Sequence, residues 1–176
     1  MGLLSPEYVI GAQRLRKLKS SSGSRVRKRA AKAPPRPCPV HGDLVLKMDL
    51  TIPAHIECIS PLVETVLFVV RKTGIGSSKK LEIETALREA LANAIKHGCC
   101  GDPSKYVQCS VAFETAGSVF LVVSDPGAGF DPAALPDPTG SDHLFDDHGR
   151  GIFLINRLMD EVQFKRNGAE IHMRKY

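Results

Sequence analysis

The first regular pattern along the chain begins after Gly42, where Leu44, Leu46, Met48, Leu50 and Ile52 alternate with other residues. A period of two is that of a β-strand with one buried face, and Pro53 ends it. From Cys58 to Lys72 apolar residues recur at helical spacing and stop before Gly74; a second helical pattern runs from about Ser78 to His97, with Gly98 as its C-terminal stop. Tyr106 to Phe113 and Ser118 to Ser124 read as strands joined through Gly117, an expected antiparallel hairpin. The last helical pattern spans Arg150 to about Asp160. Two strand patterns, Val162 to Arg166 and Ala169 to Arg174, then flank Asn167-Gly168, a strong hairpin signal. The order strand, helix, helix, two strands, long loop, helix, two strands predicts an α/β (α+β) two-layer sandwich: a mixed, mostly antiparallel sheet with helices on one face.

Residues 1–41 have no such pattern. They hold Ser20-Ser21-Ser22-Gly23-Ser24, a basic cluster from Arg25 to Lys32, and prolines at 34, 35, 37 and 39. A segment of this kind buries too little apolar surface to offset its chain entropy, so a disordered tail is expected, with room for a short helix within residues 5–19. Residues 42–176 form the expected domain. At 176 residues with 43% hydrophobic content, the chain supports one core and leaves little for a second.

Charge divides at the same place. Residues 1–38 carry ten Lys or Arg against the single acid Glu7, and the remainder carries fourteen basic and eighteen acidic residues. The tail is therefore +9 and the body −4. The Arg25–Arg29 run has two readings, a solvated tail or a tether to nucleic acid or an acidic membrane; the scarcity of aromatic residues for base stacking, Tyr8 apart, favours the first. No stretch approaches the roughly 20 apolar residues of a membrane span, and a signal peptide's order of charged, apolar and small residues is missing. A cytoplasmic protein without a membrane partner is expected. Five cysteines without paired spacing read as reduced thiols, and Cys38-Pro-Val-His41 lacks the second ligand pair that a zinc site needs.

Three segments carry candidate chemistry. In the helix before Gly98, taking about 100° per residue, Asn93 lies about 40° from Glu89 and Lys96 about 340°, so the three share a stripe. Asp125-Pro-Gly127-Ala-Gly129-Phe130 follows directly on the apolar strand, placing an acid at a strand end with glycines beyond it, where backbone approaches a ligand closely. Gly149-Arg150-Gly151 opens a helix, whose unpaired N–H groups and dipole favour phosphate. Residues 125–148 between them are rich in Gly and Pro and without periodicity, the mark of a functional loop. Neither a P-loop nor a full dinucleotide fingerprint occurs.

In this order and at these separations, Glu89-Ala-Leu-Ala-Asn93-Ala-Ile-Lys-His97-Gly98, Asp125-Pro-Gly-Ala-Gly-Phe130 and Gly149-Arg-Gly-Ile-Phe-Leu-Ile155 resemble the N, G1 and G2 boxes of the GHKL (Bergerat-fold) ATPases. That superfamily includes gyrase, MutL and the histidine kinases. Together with Met159-Asp-Glu-Val162, the segments are most similar to anti-sigma-factor serine/threonine kinases of the SpoIIAB and RsbW type, over about residues 42–176.

The resemblance implies a site. Asn93 would hold Mg²⁺ with the phosphates of ATP, and Asp125 would accept the adenine amine. Gly127, Gly129 and Phe130 would border the base and ribose, Gly149 and Gly151 would bring N–H groups to the phosphates, and residues 131–148 would form a lid. Glu89 would be the general base for an attacking hydroxyl, with Lys96, His97 and Arg150 as candidates to neutralise phosphate charge. His97 has a second reading, a helix-end His favoured by the dipole without a ligand. The implied partners are a STAS-domain anti-anti-sigma protein, phosphorylated on serine, a sigma factor sequestered in the other state, and a second copy of the chain. No phosphoacceptor-His segment precedes the N box, which points to a free-standing kinase; the alternative is an ATP-binding regulatory module without transfer. Nucleic acid as a partner rests on the basic tail alone.

Overall fold

The computed structural model describes residues 43–130 and 150–176. The predicted tail, Cys38 and His41, the lid residues 131–148 and Gly149 lie outside the described residues. The elements run β1 (Leu44–Pro53), α1 (Ile59–Thr73), α2 (Lys80–Asn93), β2 (Tyr106–Glu114), β3 (Val119–Ser124), α3 (Arg150–Leu158), β4 (Glu161–Lys165) and β5 (Glu170–Lys175). Single 3₁₀ turns, Ile56–Cys58 and Ser77–Lys79, lead into α1 and α2.

The strands form one sheet in the order β1-β2-β3-β5-β4. Every neighbouring pair is antiparallel, so among the described residues the mixed sheet expected from sequence is wholly antiparallel. Hairpin connections explain this for β2–β3 and β4–β5; β5 then returns against β3.

Spacing decides which face each element buries. In α1, Ile59, Leu62, Val63, Val66, Leu67 and Val70 are buried, and in α2, Ile83, Ala86, Leu87, Ala90 and Leu91. Both sets recur every three or four residues, an apolar stripe facing the sheet. Alternate strand residues meet them: Val107, Cys109, Val111 and Phe113 on β2, Val119, Leu121 and Val123 on β3, Ile171 and Met173 on β5. Each such Val, Leu or Phe contributes about 1.5–3 kcal/mol when withdrawn from water.

Three expectations change in detail. The alternation in β1 is real, but only Ile52 is fully buried; Leu44 and Leu46 remain exposed because β1 is an edge strand. The second helix does not stop as an α-helix. Its last turn, Ala94–Gly98, widens to a π-helix, and the left-handed residues that end the segment are Cys100 (φ 56°) and Gly101 (φ 68°) rather than Gly98. Finally, Lys165 pairs with Glu170, so the Asn167-Gly168 hairpin closes over four residues, with positive φ at Arg166, Asn167 and Gly168.

Candidate functional site

A cavity of about 550 Å³ opens between α2 with its π turn, the C-terminal end of β3, the β4–β5 hairpin and α3. Its size lies within the range of small-molecule sites. The lining includes Asn93, His97, Gly98, Asp125, Gly127, Gly129 and Phe130, so residues from the first two sequence segments meet at one place.

Asp125 sits at the cavity floor, 8% exposed, its N–H donating to the Ala169 carbonyl at 3.1 Å. The Gly127 N–H donates to Asp125 Oδ1 at 2.7 Å, which fixes the carboxylate across the turn. This explains Gly98. A Cβ at Gly98 would overlap the Asp125 carboxyl carbon, so glycine stands there for close approach rather than as a helix stop. A Cβ at Gly127 would lie 2.5 Å from the Gly98 carbonyl oxygen and 2.7 Å from Asp125 Oδ1. The loop is held from the other side by the hairpin: Phe130 N–H donates to Asn167 O at 2.6 Å, and the Phe130 ring meets Phe164 edge-on at 5.7 Å.

The other end of the site is built from α2 and α3. A Cβ on Gly151 would fall 2.7 Å from Glu89 Oε2 and 3.3 Å from Asn93 Nδ2. The carboxylate and the amide, one helical turn apart, thus converge on the first turn of α3. Glu89 and Asn93 are half-buried. Glu89, Lys96, Arg150 and Gly151 stand outside the cavity lining; Lys96 and Arg150 are exposed. A straight α-helix keeps Lys96 on the Glu89–Asn93 stripe. With the π turn after Asn93, it is His97 that lines the cavity beside Asn93.

Cys100, Lys105 and Phe164 also line the cavity and were not singled out from sequence. Lys105 Nζ donates to Cys99 O at 3.1 Å, tying the start of β2 to the end of the π turn. Of the three, Phe164 alone had a signal that could have found it, its place two residues after Val162 on the side of β4 that packs against the core. Beneath the cavity, burial and then the Asp125 carboxylate push the Cys99 thiol pKa up, so Cys99 packs as a neutral thiol.

The family described as histidine kinase-like ATPase domain matches residues 52–175, which includes every described residue of the cavity. The chain belongs to this family. It is 31% identical over 137 residues to the serine-protein kinase RsbW of Staphylococcus epidermidis, covering 73% of this chain and 86% of that protein. It is 39% identical over 101 residues to the anti-sigma F factor of Bacillus cytotoxicus, covering 54% of this chain and 68% of that protein. A serine-protein kinase RsbW of Bacillus cereus is 28% identical over 138 residues. Within the histidine kinase-like ATPases, the chain is therefore a serine/threonine kinase of the anti-sigma type, and ATP is the nucleotide it uses. No helix of the described residues is long and apolar enough to cross a membrane.

Proposed function

We propose that the chain transfers the γ-phosphate of ATP to a serine hydroxyl of a STAS-type anti-anti-sigma protein, and that in its other state it sequesters a sigma factor. The observation that carries this reading is the convergence of Glu89 and Asn93 on Gly151, with Asn93 lining the same cavity as Asp125. A nucleotide with adenine at Asp125 would direct its phosphates toward Asn93 and Gly151.

The donor set fits Mg²⁺. Asn93 offers an amide oxygen to a hard cation that keeps several waters and takes most other ligands from phosphate. Glycine at 151 lets the first turn of α3 approach Glu89 and Asn93 closely, where a Cβ would lie 2.7 Å from Glu89 Oε2. Bound there, the metal would neutralise phosphate charge. Gly149 and Gly151 would supply backbone N–H groups to the phosphates, with His97 in the cavity lining and Lys96 and Arg150 outside it as candidates to neutralise their charge. Glu89 receives the proton of the acceptor serine as the new Oγ–P bond forms and the bond from γ-phosphorus to the β,γ-bridging oxygen breaks, releasing ADP. With a loose transition state, positioning and charge neutralisation supply most of the rate.

Homodimerisation and a cytoplasmic location belong to the same proposal and rest on the likeness to the anti-sigma kinases. Incubating the protein with γ-labelled ATP and a STAS-domain protein encoded beside it is the test. Label appearing as phosphoserine on that protein supports the reading; tight ATP binding without transfer to any STAS partner makes the chain a nucleotide-dependent binding module.

A further inference from the structure

The turn between β4 and β5 meets the segment that carries Asp125 at three points. Arg166 Nη1 donates to Ser124 Oγ at 2.7 Å, the Asp125 N–H donates to the Ala169 carbonyl at 3.1 Å, and the Phe130 N–H donates to the Asn167 carbonyl at 2.6 Å. Turn and loop fit closely: a Cβ on Gly129 would lie 1.9 Å from Asn167 O, and one on Gly168 would lie 2.6 Å from Phe130 O. The turn thus holds the segment just before Asp125 and again five residues after it.

Of these three hydrogen bonds, only that of Arg166 is made by a side chain, and it comes with a strained backbone. Arg166 stands at φ 52°, in the left-handed region where the Cβ of an ordinary residue crowds the following carbonyl. Asn167 and Gly168 follow at φ 52° and 84°, but those two residue types visit the region routinely. Chain reversal alone favours Gly or Asn at position 166 as well. What arginine adds there is a charged hydrogen bond to a hydroxyl 42 residues away in sequence, on the residue next to Asp125.

We propose that Arg166 is a positioning residue for recognition of the nucleotide base. Through Ser124 it fixes the end of β3, and with it the direction in which the Asp125 carboxylate enters the cavity. Arg166 is exposed and stands outside the cavity lining, so it acts on the nucleotide through Asp125 and not by contact. The Gly127 N–H holds the carboxylate from the loop side, and Arg166 holds the strand from which that loop leaves. This role for Arg166 rests on the proposed reading of Asp125 as acceptor of the adenine amine.

Arg166→Gly separates positioning from a merely structural part, because it removes the guanidinium and relieves the left-handed backbone together. Its Tm should be equal to or above that of the wild type. In calorimetry of the full-length protein with Mg²⁺, ATP should bind about five- to tenfold more weakly, the scale of one hydrogen bond to a charged group. Purine riboside triphosphate, which lacks the 6-amine, should bind the variant as tightly as it binds the wild type. Ser124→Ala should show the same loss for ATP, and the double substitution no more than either alone. Equal weakening of both nucleotides in Arg166→Gly, weakening of neither, or losses that add in the double substitution overturn the proposal. A wild type that binds ATP and the amine-free nucleotide equally shows instead that Asp125 does not read the amine, and overturns that reading together with the role of Arg166.

Discussion

Gly98 is read from sequence as a helix stop and proves to be a packing position. Both readings rest on a missing Cβ, but only the folded chain brings Asp125 against it, from 27 residues further along. Ala in place of Gly98 would by itself favour a helix, by about 0.5–1 kcal/mol. The added Cβ must instead displace the Asp125 carboxylate. Gly98→Ala is therefore expected to weaken ATP binding about tenfold or more, about 1.4 kcal/mol, in calorimetry, while circular dichroism keeps the native signal. Unchanged affinity would separate Asp125 from base recognition. Asp125→Asn tests the same role directly: an amide turns a donor toward the adenine amine, for a loss of about 1–3 kcal/mol in ATP affinity. Equal affinities for the two proteins would remove Asp125 from that role. Glu89, Asn93 and Asp125 are singled out in the sequence through the likeness of their segments to the N and G1 boxes, and the fold brings Asn93 and Asp125 to one cavity with Glu89 beside Gly151. Lys105 and Cys100 are not singled out, since their place at the cavity depends on how the π turn meets β2.

At the scale of elements, periodicity located every strand and helix among the described residues, and tertiary contacts decided the ends. The π turn is the clearest case. Its composition, Ala94 to Gly98, continues the helical pattern without a break, and nothing local marks the widening. The sheet holds a second feature invisible to spacing. Arg174 on β5 donates to Glu114 Oε2 on β2 at 2.8 Å and lies 4.8 Å above the Phe120 ring on β3 between them, while Ser118 donates to the same carboxylate. Both charged side chains are almost fully buried. Glu114→Ala removes the buried carboxylate and leaves Arg174 the half-exposed Glu161 at 3.7 Å, so it should destabilise by about 3–5 kcal/mol in urea denaturation, against about 0–1 for an exposed pair. ATP affinity should be unaffected because the pair lies on the face away from the cavity. A loss below about 1 kcal/mol would show that water reaches the pair.

For the whole molecule, the two-layer architecture follows from element order, and the wholly antiparallel sheet follows from hairpins at β2–β3 and β4–β5. The cavity gathers residues from α2, β3, the β4–β5 hairpin and α3, so its chemistry belongs to the assembled domain and to no single segment. Glu89 is where nucleotide holding and phosphate transfer should come apart. Mg·ATP titrations paired with single-turnover phosphorylation of the STAS partner measure both in one set of proteins. Glu89→Gln should keep Mg·ATP affinity within about twofold while transfer falls by roughly 10²–10⁴, the range of general acid–base contributions, whereas Asn93→Ala should lose metal-dependent binding and transfer together. Wild-type transfer rates in Glu89→Gln would contradict the assignment of Glu89 as the base.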